Sequence, residues 1–312
     1  MSNNNFTQLL RESFKSSDTE EWLDVHFTRP IGLVFALLWN RLGIHPNVIT
    51  IVSIFLGAAA GWFFHYTDLQ HNLMAIVLLM FANFCDSTDG QMARLANKRT
   101  LLGRALDGFS GDVWFFAIYV ALSIRMMNQD IPGLDIHWGW FSWVLCLVAG
   151  VLCHSPQSSL ADYYRQIHLY FLKGKEGSEL DNSAVQQATH DSLPKSDWFG
   201  RLFYGNYARY CKSQERRTPD FQRFFKLWTA GKGTSEQRTK IREELLRSSR
   251  PLMPYTNILT FNTRAIVLYI SALLGVVWVY PVFEIVVMTG LYLYMHKTHE
   301  TMCARLTQQF EQ

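Results

Sequence analysis

The chain reads as an all-α polytopic membrane protein with six transmembrane helices, an N-terminal interfacial helix and a cytoplasmic helical insertion. Three observations predict this. Apolar residues concentrate in 31–170 and 257–296; the stretch between, 172–255, is polar and charged; and several carboxylates gather where two apolar runs end, within 84–112. The whole-chain values, 49% hydrophobic residues and a formal charge of +3, average these populations.

The elements follow in order. Residues 1–46 form a cytoplasmic or interfacial segment in which the amphipathic run 6–14, or the stretch 22–27, suits a membrane surface. No continuous apolar core marks a cleavable signal there. The apolar piece 31–39 stops at Arg41 and is too short to cross, so it is expected to lie at the interface. Spans need about twenty apolar residues, at ~1.5 Å rise per residue across ~30 Å of hydrocarbon. They are expected at 47–66, 72–94, 104–127, 138–158 (continuing as a helix towards 170), 262–280 and 282–299, which makes 47–171 and 257–312 the membrane parts and 172–256 the insertion.

Orientation follows from basic residues, which stay cytoplasmic in short loops. The connections 67–71 and 128–137 and a turn at Tyr280-Pro281 contain no Lys or Arg, whereas Arg94, Lys98, Arg99 and Arg104 fill the loop between the second and third spans; only Arg125 sits near an outer end. Both termini, the insertion and any chemistry at that loop are therefore expected to be cytoplasmic.

Other classes are excluded. Five cysteines without a C-x-x-C pair describe packing residues, not a disulfide frame or zinc site. Gly231-Lys232-Gly233-Thr234-Ser235 lacks phosphate-loop spacing and reads as a turn before a helix at 236–247. The aromatic and basic run 198–228 fits a pair of membrane-surface helices better than nucleic-acid binding. In 172–255 sixteen Lys and Arg against ten Asp and Glu leave an excess of six, suiting anionic headgroups or equally a solvated basic face. His154, His168, His296 and His299 are scattered at helix ends, are expected to lack a metal-ligand partner at i+4, and read as interfacial residues.

Chemistry concentrates in 84–112. Carboxylates near a bilayer are costly and normally pair, hold an ion or line water. Asp86 and Asp89 are three residues apart and share a helix face, so their repulsion calls for a cation, and oxygen-only donors select a hard ion such as Mg2+, Mn2+ or Ca2+. Gly90 and Ala93 leave that face bare for a flat ligand, although small residues also serve helix packing. Gly103 does the same on the next helix, Arg94 offers a fork for phosphate, and Asp107 lies one turn beyond Gly103.

Asp86, Asp89, Gly90, Ala93, Arg94, Gly103 and Asp107 fill seven of eight fixed positions of the pattern D-x2-D-G-x2-A-R-x8-G-x3-D-x3-D, which this segment resembles and which marks the CDP-alcohol phosphotransferase family. Pro46, Asn47 and Thr50 also resemble the family's entry to its first span. The resemblance implies transfer of a phosphoalcohol, as in phospholipid synthesis, from a CDP-linked lipid donor to an alcohol hydroxyl, with CMP leaving. It implies two divalent ions, Mg2+ or Mn2+, on Asp86, Asp89, Asp107 and Asp112. Asn47, Thr50, Gly90, Ala93, Arg94 and Gly103 would take the CDP, and a homodimer is expected.

The eighth position departs: Gly111 stands where the last Asp belongs, with Asp112 beside it. In the family that Asp is a metal ligand and the proposed general base. On a regular helix Asp112 points ~140° from Asp107; a π turn, eased by Gly108 and Gly111, would bring it back. A water-mediated ligand, a one-metal variant and a protein that binds without turnover are the alternatives.

For the acceptor, Ser158, Asp162 and Arg165 follow i, i+4, i+7 spacing on one face and, with Arg264, would suit a polyol or polyol phosphate such as inositol or glycerol phosphate. Interfacial anchoring, with Asp162 pairing Arg165, explains them equally well. Two other functions compete: a membrane prenyltransferase, which needs a second aspartate-rich loop that 257–312 does not offer, and a non-catalytic CDP-lipid-binding member of the same fold.

Overall fold

The computed structural model describes residues 6, 8–10, 16, 18–96 and 100–310, with the backbone alone at 101, 102, 104 and 105. Most of the run 6–14, together with Lys98, Arg99 and the Arg104 side chain, lies outside the described residues. Among those described, structure is helical, apart from one isolated bridge between Asp130 and His137.

Among the described residues five helical segments are long and apolar enough to cross a bilayer, and the chain is an integral membrane protein: Pro46–Phe63, Leu69–Leu95, Leu106–Met127, Phe141–Lys173 and Val279–Gln308. The expected span at 262–280 is shorter than its apolar composition suggests, because its helix runs only Phe261–Leu273. At ~1.5 Å per residue this is about 20 Å, short of the hydrocarbon core. Gly275 ends it at φ 74°, with Val276 N–H bonded to Ser271 O (2.9 Å) and Gly275 N–H to Ala272 O (3.2 Å). That pattern closes a helix C-terminus on a left-handed residue. The turn thus precedes Tyr280-Pro281, where it was expected, and Pro281 sits in the first turn of the next helix, Val279–Phe283, where no N–H is needed.

The chain divides into two compact units, Met1–Pro156 with Phe261–Thr289, and Gln157–Thr260 with Gly290–Gln312. In the first, a π-helical turn Asp24–Thr28 leads into α1 (Arg29–Arg41), which buries Gly32, Leu33 and Ala36 and exposes Ile31, Val34, Phe35 and Leu38. That split matches an interfacial helix. Gly43, at φ 72°, closes α1 as Gly275 closes its helix, with Ile44 N–H bonded to Trp39 O (3.0 Å) and Gly43 N–H to Asn40 O (3.1 Å). The chain then enters α2 (Pro46–Phe63), α3 (Leu69–Leu95) and α4 (Leu101–Met127), each started by a side chain that satisfies a free backbone N–H. His45 accepts from Asn47 (3.2 Å), Asp68 from His71 (3.1 Å) and Thr100 from Gly103 (3.0 Å). The His71 N–H on the Asp68 carboxylate also holds that carboxyl below its usual range.

Helix α2 carries Gly57 and Gly61 against α4. A Cβ at Gly57 would lie 2.0 Å from the Trp114 ring, and one at Gly61 2.8 Å from the Ala117 backbone. Small residues four apart are what allow membrane helices to approach this closely. The outward positions, among them Phe55, Trp62, Phe81 and Phe116, are exposed and apolar, as lipid contact requires. Arg125 is buried and is not a topological charge: it donates to Asn72 Oδ1 (2.7 Å) and to the carbonyls of Phe64 and Ala272 (3.3 Å each), capping two helix ends. Helix α5 (Phe141–Leu147) passes through a π-helical stretch, Val148–His154, into α6 (Ser155–Lys173).

The second unit takes up most of α6 and the insertion helices α7 (Ser183–Ser192), α8 (Trp198–Arg217), α9 (Pro219–Thr229), α10 (Ser235–Ser249) and α11 (Met253–Ile258). Phe171 packs edge-on against Trp228 (5.0 Å), and the fully buried Phe221 and Phe224 complete the ring core. Arg242 from α10 donates to the Phe171 and Leu172 carbonyls (2.6 and 3.1 Å) at the end of α6. The 231–235 segment is a turn as expected, with Thr234 capping α10 through Gln237 N–H (3.2 Å).

After Leu273 the chain passes through α12 (Val279–Phe283) and a π-helical turn, Glu284–Met288, into α13 (Thr289–Gln308).

Candidate active site

Three carboxylates meet in the first unit. Asp86 and Asp89 from α3 and Asp107 from α4 each place an oxygen within 4.8 Å of the others. At that spacing two full charges repel by ~3.5 kcal/mol at an effective dielectric of about 20, so a cation is the natural partner. The oxygen-only donor set fits a hard divalent ion.

Neighbouring hydroxyls fix two of the three. Thr50 on α2 donates to Asp89 Oδ2, and both residues are buried. Ser110, fully buried one turn after Asp107, lies 2.8 Å from Asp86 Oδ1 and 2.6 Å from the Asp107 carbonyl. Its single proton serves one acceptor at a time. The sequence reading overlooks Ser110, although three-residue spacing from Asp107 puts it on the same side of the helix. Asp107 itself is exposed, leaving the trio open on one side.

The small positions behave differently from one another. The bare face at Gly90 is covered by the chain's own Arg94, whose Nη1 would lie 3.3 Å from a Cβ there. Gly103 faces Asn47, with Oδ1 3.3 Å from the corresponding Cβ position. Asn47, Thr50, Asp89 and Gly103 thus link the start of α2 to α3 and α4. Ala93 is half-buried on α3.

Asp112 does not join the trio. Helix α4 is α-helical throughout and takes no π turn at 108–112; among the described residues π-helical turns fall at Asp24–Thr28, Val148–His154 and Glu284–Met288 instead. Asp112 is exposed, and a Cβ added at Gly111 would meet nothing within 4 Å.

The acceptor candidates are engaged with other partners. Arg264 is fully buried and its guanidinium pairs with Glu284, itself 3.7 Å from His154 Nδ1. In the second unit Asp162 accepts from Gln166 (3.3 Å), Arg165 donates to Asn257 (3.0 Å), and Ser158 is half-buried. Three of the histidines expected at the interface, His154, His168 and His299, are buried, and Cys303 does stand four residues after His299.

Residues 43–158 match the family model of the CDP-alcohol phosphatidyltransferases, a family of transferases for substituted phosphate groups. The matched segment contains all three clustered aspartates. An uncharacterized protein of Aquifex aeolicus (strain VF5) is 36% identical over 69 residues, 22% of this chain and 34% of that protein. The chain therefore spans about a third of the length of the curated relative it matches.

Proposed function

We propose that this protein is a metal-dependent CDP-alcohol phosphotransferase of phospholipid synthesis, moving a phosphatidyl group from CDP-diacylglycerol to the hydroxyl of a polyol or polyol phosphate, such as inositol or glycerol phosphate. The observation that carries this reading is the grouping of Asp86, Asp89 and Asp107 from two consecutive membrane helices, inside the segment matched by the family.

Asp86, Asp89 and Asp107 would hold Mg2+ or Mn2+, two ions if Asp112 contributes. When bound, the metal neutralises the diphosphate and stabilises charge on the leaving oxygen. Arg94 offers its fork to the diphosphate, and Asn47, Thr50, Gly90, Ala93 and Gly103 border the nucleotide. The acceptor oxygen forms a bond to phosphorus, the bond from phosphorus to the CMP oxygen breaks, and the acceptor proton passes to Asp112 as base. Ser158, Asp162, Arg165 and Arg264 remain the candidates for the acceptor side, with Arg264 acting only if it leaves Glu284. The site and both termini face the cytoplasm in this reading, and two copies pair.

The place of Asp112 outside the trio favours one second reading, a member that binds CDP-lipid without turning it over. CMP release by purified protein with CDP-diacylglycerol, Mn2+ and a panel of acceptors separates the two. Acceptor-dependent CMP that falls by about 10²–10⁴ in Asp112→Asn supports the transferase with Asp112 as base. Activity surviving in Asp112→Asn removes that role, and no CMP with any acceptor supports the binding reading. Because position 111 is sterically open, Gly111→Asp in the Asp112→Asn background tests whether the family's usual position restores turnover.

A further inference from the structure

Among the described residues one other group of donors converges. His299, Glu300 and Cys303, all on α13 (Thr289–Gln308), each bring one donor atom within 4.8 Å of the others. They are buried, with 1%, 8% and 0% of their surfaces exposed.

The separations leave room for a shared ion. His299 Nδ1 lies 3.7 Å from Glu300 Oε1, beyond hydrogen-bond range, and that oxygen has no hydrogen-bond partner among the described residues. Cys303 Sγ lies 3.7 Å from His299 Nδ1, a long hydrogen bond to sulfur that an ion between the two would replace. A tetrahedral zinc, with bonds of ~2.05 Å to nitrogen, ~2.1 Å to oxygen and ~2.3 Å to sulfur, gives edges of about 3.4 Å (N to O) and about 3.6 Å (N to S). Both observed edges are within a few tenths of an ångström of these.

The surroundings hold the donors in place. Glu300 Oε2 accepts the Asp220 N–H (2.8 Å) at the start of α9, which leaves Oε1 as the oxygen available to an ion. The ring of Tyr164 stacks on His299 at 4.1 Å, and its hydroxyl is 2.5 Å from His296 Nδ1. A buried carboxylate oxygen without a donor is costly, and a cation removes that cost.

We infer that His299, Glu300 and Cys303 bind one zinc-class divalent ion, with water in the fourth position. A mixed nitrogen, oxygen and sulfur set selects zinc over magnesium, because thiolate is a poor ligand for hard ions. Binding releases the thiol proton.

The test uses full-length protein in detergent, stripped with chelator and titrated with Co2+. The expected result is one equivalent of cobalt with a thiolate-to-metal charge-transfer band, displaced by zinc, absent in Cys303→Ser and retained in Cys211→Ser. The aspartate trio contains no sulfur and cannot give that band. Glu300→Gln, which keeps the thiol and nearly the same shape, should weaken cobalt binding at least about tenfold and serves where the serine variant fails to fold. No band in wild type, a band that persists in Cys303→Ser, or unchanged affinity in Glu300→Gln overturns the inference.

Discussion

The two donor clusters differ in chemistry and in access. Asp86, Asp89 and Asp107 offer only oxygens from two helices, with Asp107 exposed, whereas His299, Glu300 and Cys303 offer three elements from one helix and are buried. An open oxygen site suits an ion that must share its coordination with an incoming diphosphate. A buried site of mixed donors suits a softer ion such as zinc. The difference teaches that donor type and exposure, more than carboxylate count, distinguish the two clusters.

The largest expected effect comes from the open site. Asp107→Asn should remove CMP release while the cobalt charge-transfer band at Cys303 stays; chelation should also remove CMP release, and readdition of Mg2+ or Mn2+ should restore it. Loss of that band in Asp107→Asn would blur the distinction between the clusters. Next is Ser110→Ala, which removes one hydrogen-bond partner of Asp86 and is expected to lower Mn2+ affinity or activity by about 10–100-fold, measured as the Mn2+ concentration giving half-maximal CMP release.

Much of this was legible in the sequence, for identifiable reasons. The spans beginning at Pro46 and Leu69 announce themselves as long apolar runs, and Asp86, Asp89 and Asp107 by spacing within the family pattern. The short helix Phe261–Leu273 was not legible, because hydropathy continues through 274–280 while the turn is set by the backbone at Gly275. Nor was the fate of Arg264, since a partner twenty residues away, Glu284, becomes its neighbour only through tertiary packing. Gly57 and Gly61 carried a visible four-residue spacing whose meaning depends on the facing Trp114 and Ala117.

That contact supplies the third prediction. Gly61→Leu overpacks α2 against α4 and should cost about 1–3 kcal/mol, read as a lower thermal midpoint in detergent, whereas the same change at Gly108, with open space around it, should shift the midpoint little. The smallest effect is expected at Thr234→Ala, which removes the α10 cap and should cost about 1 kcal/mol in the second unit. Hydrogen exchange along 235–249 would report it.

The most direct test of the central claim is Mn2+-dependent CMP release from CDP-diacylglycerol by wild-type protein and by Asp89→Asn, at equal folded concentration and with an acceptor present. The account predicts release by wild type that requires the metal, and none above background from the variant at any Mn2+ concentration. Undiminished, metal-dependent release by Asp89→Asn would contradict it.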